Sequence, residues 1–285
     1  MIIWLASYPK SGNTLLRAML SSYFFSKDGF FEFKILKNIS QFPNLNLYKK
    51  LGVDINNKDE LIKNSIKAQE HFNKKKAIQF VKTHSLLFNF YNKYQFTDLN
   101  NSLGAIYIVR DPRNLVKSFS DFFNIKDEKS LEWMTTLFQL RGDNRFKETR
   151  NITETWVGSW SKHYNSWKSF QYQSRYLLIK YEDFIKDRKS TFIKVLKFIH
   201  YLNKTKFDVD ETKLNNVIET TDFKHLQNLE KKFGFQEALK DTKESKVSMF
   251  FKMGEKREWE KTLDPKIVKE IEKNFEKEMK ELNYI

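Results

Sequence analysis

The stretch Trp4-Leu5-Ala6-Ser7-Tyr8-Pro9-Lys10-Ser11-Gly12-Asn13-Thr14-Leu15-Leu16-Arg17 decides how this chain is read. Ile2 to Leu5 form an apolar run of buried-strand type. Pro9 and Gly12 punctuate it. Asn13 to Leu20 then reads as a helix. The first backbone N–H groups of such a helix have no intrahelical partner, so a strand–turn–helix junction is a natural anion cradle. Lys10 adds a full positive charge to it, and Ser11 and Thr14 add hydroxyl donors.

Further strands and helices alternate along the chain. Ala77 to Lys82, Ala105 to Val109 and Arg175 to Lys180 read as strands. Asp111-Pro112 ends the second of these, and Asn114 to Phe123 follows as a helix. Ser130 to Leu140 and Thr153 to Phe170 also read as helices, the latter anchored by Trp156, Trp160 and Trp167. From Glu182 onward the pattern is helical, with Phe192, Ile193, Leu196 and Ile199 on one face. Asp264-Pro265 caps a last helix with the stripe Ile267, Ile271, Phe275, Met279 and Leu282. Residues 27 to 76 read as short helices and loops. This order predicts an α/β fold with a central, mostly parallel sheet flanked by helices in three layers, all in a single domain over residues 1–285. Ligands of such sheets sit beyond the carboxyl ends of the strands, which is where Lys10, His84 and Arg110 fall.

Composition narrows the chemistry. The chain has 285 residues, 40% hydrophobic and 16% aromatic, enough for a large core. With no cysteine, thiolate catalysis, disulfides and Cys-based zinc sites are excluded. The 5 histidines form no His-x-x-x-His pair, so no metal is expected. No apolar stretch approaches the roughly 20 residues of a membrane span, and no signal sequence precedes the first strand, so a cytoplasmic location is expected. The net charge of +15 favours anionic partners. It also raises the alternative of a non-catalytic binder of nucleic acid or acidic glycan. No RNP, helix-turn-helix or zinc-finger signature accompanies the charge, so a nucleic-acid partner is not expected.

The turn after the first strand lacks the Gly-Lys-Ser/Thr order of ATP-binding P-loops, because its lysine precedes its glycine. A P-loop nucleotide kinase, the other alternative, would need that order and an acidic magnesium ligand. Tyr8-Pro9-Lys10-Ser11-Gly12-Asn13-Thr14 instead resembles the 5′-phosphosulfate loop of sulfotransferases that use 3′-phosphoadenosine 5′-phosphosulfate (PAPS). Companion motifs follow in order. Val81-Lys82-Thr83-His84 resembles the family's catalytic strand end, and Tyr107 to Ser118 resembles its 3′-phosphate segment, strand–Arg-Asx-Pro–helix–Ser. Lys180-Tyr181-Glu182-Asp183 and Thr220-Thr221-Asp222-Phe223 resemble its adenine-side segments, and Trp156, Gly158, Ser159 and Trp160 its Gly-Ser-Trp helix. Phe251 to Trp259 resembles its C-terminal phosphate loop, with Gly254 and Trp259 in place.

The resemblance implies a PAPS-dependent sulfotransferase with a P-loop-like fold that releases adenosine 3′,5′-bisphosphate (PAP) and needs no metal. It implies His84 as base, Lys82 at the transferring sulfonate and Lys10 at the leaving oxygen. It implies donor contacts from Lys10, Ser11, Gly12, Asn13, Thr14, Leu15, Arg110, Ser118, Tyr181, Thr221 and Phe223, and from Lys252, Met253, Gly254 and Arg257 in the C-terminal loop. An Arg fork suits a phosphate monoester, and histidine, with an ordinary pKa of about 6.5, suits removal of a hydroxyl proton. The chain departs from the family's pattern at Leu15, where vertebrate members carry tryptophan, and at Met253, Arg257 and Glu258. The acceptor, a small molecule, glycan or lipid, is not readable. The dimer-associated Lys-x-x-x-Thr-Val pattern does not follow Trp259, which leaves the oligomeric state open.

Overall fold

The computed structural model describes residues 1–74, 77–136, 139–140, 155–238, 249–251 and 259–285. The elements are β1 (Ile2–Ser7), α1 (Asn13–Phe25), β2 (Ser40–Gln41), α2 (Leu45–Lys50), α3 (Lys58–Lys63), α4 (Ser65–Asn73), β3 (Gln79–Thr83), β4 (Asn89–Phe90), β5 (Tyr94–Gln95) and β6 (Ser102–Val109). They continue as α5 (Pro112–Phe123), α6 (Asp127–Thr135), β7 (Gln139–Leu140), β8 (Thr155–Trp156), α7 (Trp160–Lys168), β9 (Tyr176–Lys180) and α8 (Tyr181–Lys186). After them come α9 (Arg188–Asn203), α10 (Glu211–Thr220), α11 (Phe223–Phe233), α12 (Trp259–Thr262) and α13 (Pro265–Glu281).

The central sheet has five strands in the order β2-β3-β1-β6-β9, and every pairing in it is parallel. Strand β1 reads as an unbroken apolar run because both of its faces are covered. Alternate residues point to opposite faces. Ile2, Trp4, Ala6 and Tyr8 pack into one core, while Ile3 and Leu5 pack into the other. The first core is closed by Leu115, Val116 and Phe119 of α5, Trp160 and Trp167 of α7, and the α13 stripe. The second is closed by Leu16 and Met19 of α1, Phe192 and Leu196 of α9, and Leu214 of α10. These are the expected three layers. The chain passes from β1 to β3 on one side and from β3 to β6 on the other, so the strand order reverses at β1. The crevice at that reversal, beyond the carboxyl ends of the strands, is where such sheets bind ligands.

Three helix expectations are corrected. The helix read over Ser130 to Leu140 starts earlier and ends at Thr135, and Gln139–Leu140 instead pairs antiparallel with β8. The helix read over Thr153 to Phe170 starts only at Trp160. Gly158 lies at φ +71°, a left-handed conformation that stops a helix from extending through it, and Ser159 caps α7 by accepting from the Lys162 N–H at 3.3 Å. The helical run from Glu182 breaks at Asp187, whose side chain accepts from the Ser190 N–H and so starts α9 as a separate helix.

Candidate active site

The cradle is built where β1 becomes α1. Lys10 (φ +67°) and Gly12 (φ +100°) both turn through the left-handed region, and Gly12 heads the helix without a capping side chain. A side chain at Gly12 would also collide with the Tyr181 ring, whose Cδ2 lies 2.5 Å from where its Cβ would stand. Asn13 ties the turn down, donating from Nδ2 to the Leu5 carbonyl (2.9 Å) and to Ser7 Oγ (3.2 Å). The Ser11 hydroxyl is fully buried, and among the described residues nothing hydrogen-bonds it. A buried polar group without a partner costs about 1–3 kcal/mol, so a ligand that accepts from Ser11 recovers that cost.

Two neighbouring strand ends complete the crevice. His84 follows β3. Its Nδ1 lies 2.8 Å from the Ser7 carbonyl oxygen and 3.3 Å from Ser7 Oγ. A carbonyl only accepts, so Nδ1 carries the proton and Nε2 keeps its lone pair. Desolvation, and then the nearby Lys82 charge, hold the His84 pKa well below the usual 6.5, which keeps the ring neutral at pH 7. Arg110 follows β6. Its Nη1 donates to the Lys10 carbonyl at 3.1 Å, and its guanidinium stacks 4.3 Å from the centre of the Tyr181 ring. Tyr181, at the end of β9, therefore touches both the cradle and Arg110. The Lys10 ammonium lies between Phe122 and Phe250, 3.8 and 4.2 Å from their ring centres.

A carboxylate pairs with two further cations, Arg17 and Lys82. Glu237 accepts from Thr14 Oγ1 at 3.4 Å, from Lys82 Nζ at 3.4 Å and from Arg17 Nη1 at 2.5 Å. Arg17 and Lys82 are each only 7% exposed. The cluster brings two buried cations onto one carboxylate, so it holds an anionic group.

A sulfotransferase-domain family profile matches residues 2–283, nearly the whole chain. The chain belongs to the sulfotransferase family. It is 25% identical to human Sulfotransferase 1E1 over 284 residues, covering 97% of this chain and 83% of that protein. It is 32% identical to mouse Sulfotransferase 2A6 over 98 residues, a match spanning only 30% of that relative. Among solved structures, mouse sulfotransferase SULT7A1 complexed with PAP aligns at TM-score 0.56 and 19% identity, over 97% of this chain and 83% of that one. Retinol dehydratase in complex with androsterone and PAP aligns at TM-score 0.60 and 15% identity, over 98% and 80%. The fold and the enzyme class expected from the motifs are both met.

In this sulfotransferase the remaining described motif residues are engaged locally. Leu15 faces the second core. Ser118 is buried on α5. The Thr221 hydroxyl bonds back to the Val217 carbonyl at 2.6 Å, closing the end of α10. Phe223 packs edge-on against Phe251, with ring centres 6.2 Å apart. Lys252, Met253, Gly254 and Arg257 lie outside the described residues. Among the described residues no group of three or more His, Cys, Asp or Glu side chains could hold a metal, and no helix is long and apolar enough to cross a membrane. Sequence reasoning gave no role to Arg17 or Glu237. Arg17 was legible, because it lies three residues after Thr14 and so on the same helix face. Nothing in the sequence around Glu237 marks it.

Proposed function

We propose that this sulfotransferase moves a sulfonate from PAPS to a hydroxyl, or amine, of an acceptor by in-line displacement, with His84 as the base. The observation that carries this reading is the His84 ring, held neutral with Nε2 free to accept a proton, beside Lys82 of the cationic cluster. When bound, the donor supplies a sulfonate on a good leaving group. Ser11, Thr14 and the first N–H groups of α1 hold its 5′ end, and Arg110 with Ser118 grips the 3′-phosphate. Thr221, Phe223 and Tyr181 lie on the adenine side. Lys10 stabilises charge on the leaving oxygen, Lys82 neutralises the sulfonate oxygens, and His84 takes the acceptor proton. The buried, unpartnered Ser11 hydroxyl and the anion-holding cluster around Glu237 support the fit of such a donor. In this reading Glu237 leaves the cluster when the donor arrives.

The acceptor is a small molecule, glycan or lipid. Retinol and androsterone, both alcohols, are bound in the retinol dehydratase structures, and an apolar alcohol is the first class to screen here. A cytoplasmic location belongs to the same proposal, and cell fractionation tests it. The deciding experiment is calorimetric titration with PAP, using ATP–magnesium as control. Micromolar PAP binding with none for ATP supports the reading. No PAP binding overturns it and brings forward the non-catalytic binder of nucleic acid or glycan.

A further inference from the structure

His163, on α7, is buried with both of its nitrogens engaged, and the motif reading gave it no role. Its Nε2 lies 3.2 Å from the main-chain oxygen of His84, so it donates there. Its Nδ1 lies 2.7 Å from the Tyr107 hydroxyl, which must then be the donor. Tyr107 stands on β6, next to β1. His163, Tyr107 and Tyr8 are each 0% exposed. Burial drives the His163 pKa down to about 3, so the ring stays neutral and keeps one donor and one acceptor.

These bonds form one chain. Tyr107 donates to His163 Nδ1, His163 Nε2 donates to the His84 carbonyl, and His84 Nδ1 donates to the Ser7 carbonyl. The Ser7 carbonyl immediately precedes the Tyr8–Thr14 cradle.

Resting on the proposed role of His84, we propose that His163 and Tyr107 are positioning residues. Tyr107 sets the tautomer of His163, and the His163 Nε2–H holds the His84 main chain, so that the His84 ring stays where its Nδ1–H meets the Ser7 carbonyl beside the donor cradle. The order of donors and acceptors along the chain is forced, because each carbonyl can only accept. The Ser7 carbonyl is the partner that sets the His84 tautomer, and His163 with Tyr107 holds the main chain that carries the ring to it.

The test reads the histidine tautomers directly, without any acceptor. In full-length protein labelled with 15N-histidine, long-range proton–nitrogen spectra identify which ring nitrogen is protonated, and His→Gln variants assign the signals. Wild type is expected to have His84 protonated at Nδ1 and His163 at Nε2. Tyr107→Phe removes one hydroxyl with little change of shape. His163→Phe removes both ring nitrogens, whereas His163→Gln keeps an N–H donor. Both Phe variants are expected to shift His84 to a mixture of tautomers and to lower turnover of a 2-naphthol probe about tenfold, with PAP affinity unchanged within threefold. His163→Gln should restore the His84 tautomer and most of the turnover. An unchanged His84 spectrum in Tyr107→Phe overturns the proposal, and so does a His163→Gln variant no better than His163→Phe. If His163→Phe does not fold, Tyr107→Phe decides alone. Tautomer shifts in a protein that fails to bind PAP would uphold the positioning chain while removing the donor reading, so the two failures are distinguishable.

Discussion

The same strands end in two opposite kinds of polar chemistry. Toward their N-terminal ends, Trp4 Nε1 donates to Ser102 Oγ at 2.7 Å, Ser102 meets Thr97 Oγ1 at 2.7 Å, and Thr97 and the Phe96 carbonyl are both bonded to Gln69. That network is neutral, buried and mutually satisfied. At the C-terminal ends Lys10, Arg17, Lys82 and Arg110 converge, Lys10 and Gly12 turn through positive φ, and Ser11 Oγ and Asn13 Oδ1 are buried without partners among the described residues. One end specifies the fold. The other keeps charge and unmet hydrogen-bonding capacity in place, which is sensible only where a ligand supplies the missing partners.

The largest contrast is expected at His84. His84→Ala should lower turnover about 10²- to 10⁴-fold, the usual worth of general base catalysis, and leave PAP affinity within threefold of wild type. Steady-state rates alongside calorimetry check this, and retained turnover would remove His84 from the mechanism. Arg110→Ala comes next. A charge-assisted hydrogen bond contributes about 1.5–3 kcal/mol, so PAP affinity should fall about 10- to 100-fold with little change in the binding of adenosine 5′-phosphosulfate, which lacks the 3′-phosphate.

At the other end the effect should be on stability alone. Ser102→Ala leaves the Trp4 indole N–H and the Thr97 hydroxyl short of a partner, costing about 1–3 kcal/mol in denaturant unfolding. PAP affinity should not move. If it falls, the two ends are coupled and the contrast drawn between them is wrong.

How legible each end was follows from sequence distance. The cradle, His84 and Arg110 were readable because each directly follows a strand, and parallel pairing then gathers the strand ends without further information. The α13 stripe was readable because Ile267, Ile271, Phe275 and Met279 recur at helical spacing, and all are buried. The misread helices failed where one residue or one pairing overrides a local pattern, as at Gly158 and at the β7–β8 bridge. Glu237 meets Lys82 across 155 residues of chain, and His163 meets His84 across 79, and no local periodicity encodes such contacts.

Glu237 offers a finer probe of the charged end. Glu237→Gln withdraws a competing negative charge from Arg17, Lys82 and Thr14, so PAP affinity should rise by up to about tenfold, most clearly at low salt. Titration at two ionic strengths checks it. Weaker binding would mean that Glu237 organises the cluster rather than competing for it.

The smallest effect separates the two ends by pH. The N-terminal network of Trp4, Ser102, Thr97 and Gln69 contains no titratable group, whereas His84 and His163 are both held neutral with lowered pKa values. In the unfolded chain each histidine regains a pKa of about 6.5. Below that pH the unfolded state binds protons that the folded state refuses, so stability is complete above about pH 6.5 and declines as pH falls. For His163, whose folded value is about 3, the loss continues over the whole window between the two values. His163→Gln takes up no proton in either state. It should therefore lose about 0.8 kcal/mol less than wild type between pH 8 and pH 6, in urea unfolding at each pH. Ser102→Ala should run parallel to wild type across the same range. A parallel curve for His163→Gln would mean that His163 takes up its proton at the same pH in the folded protein as in the unfolded chain. Its Nδ1 could not then accept from Tyr107 below about pH 6.5, and the neutral chain behind His84 would be wrong there.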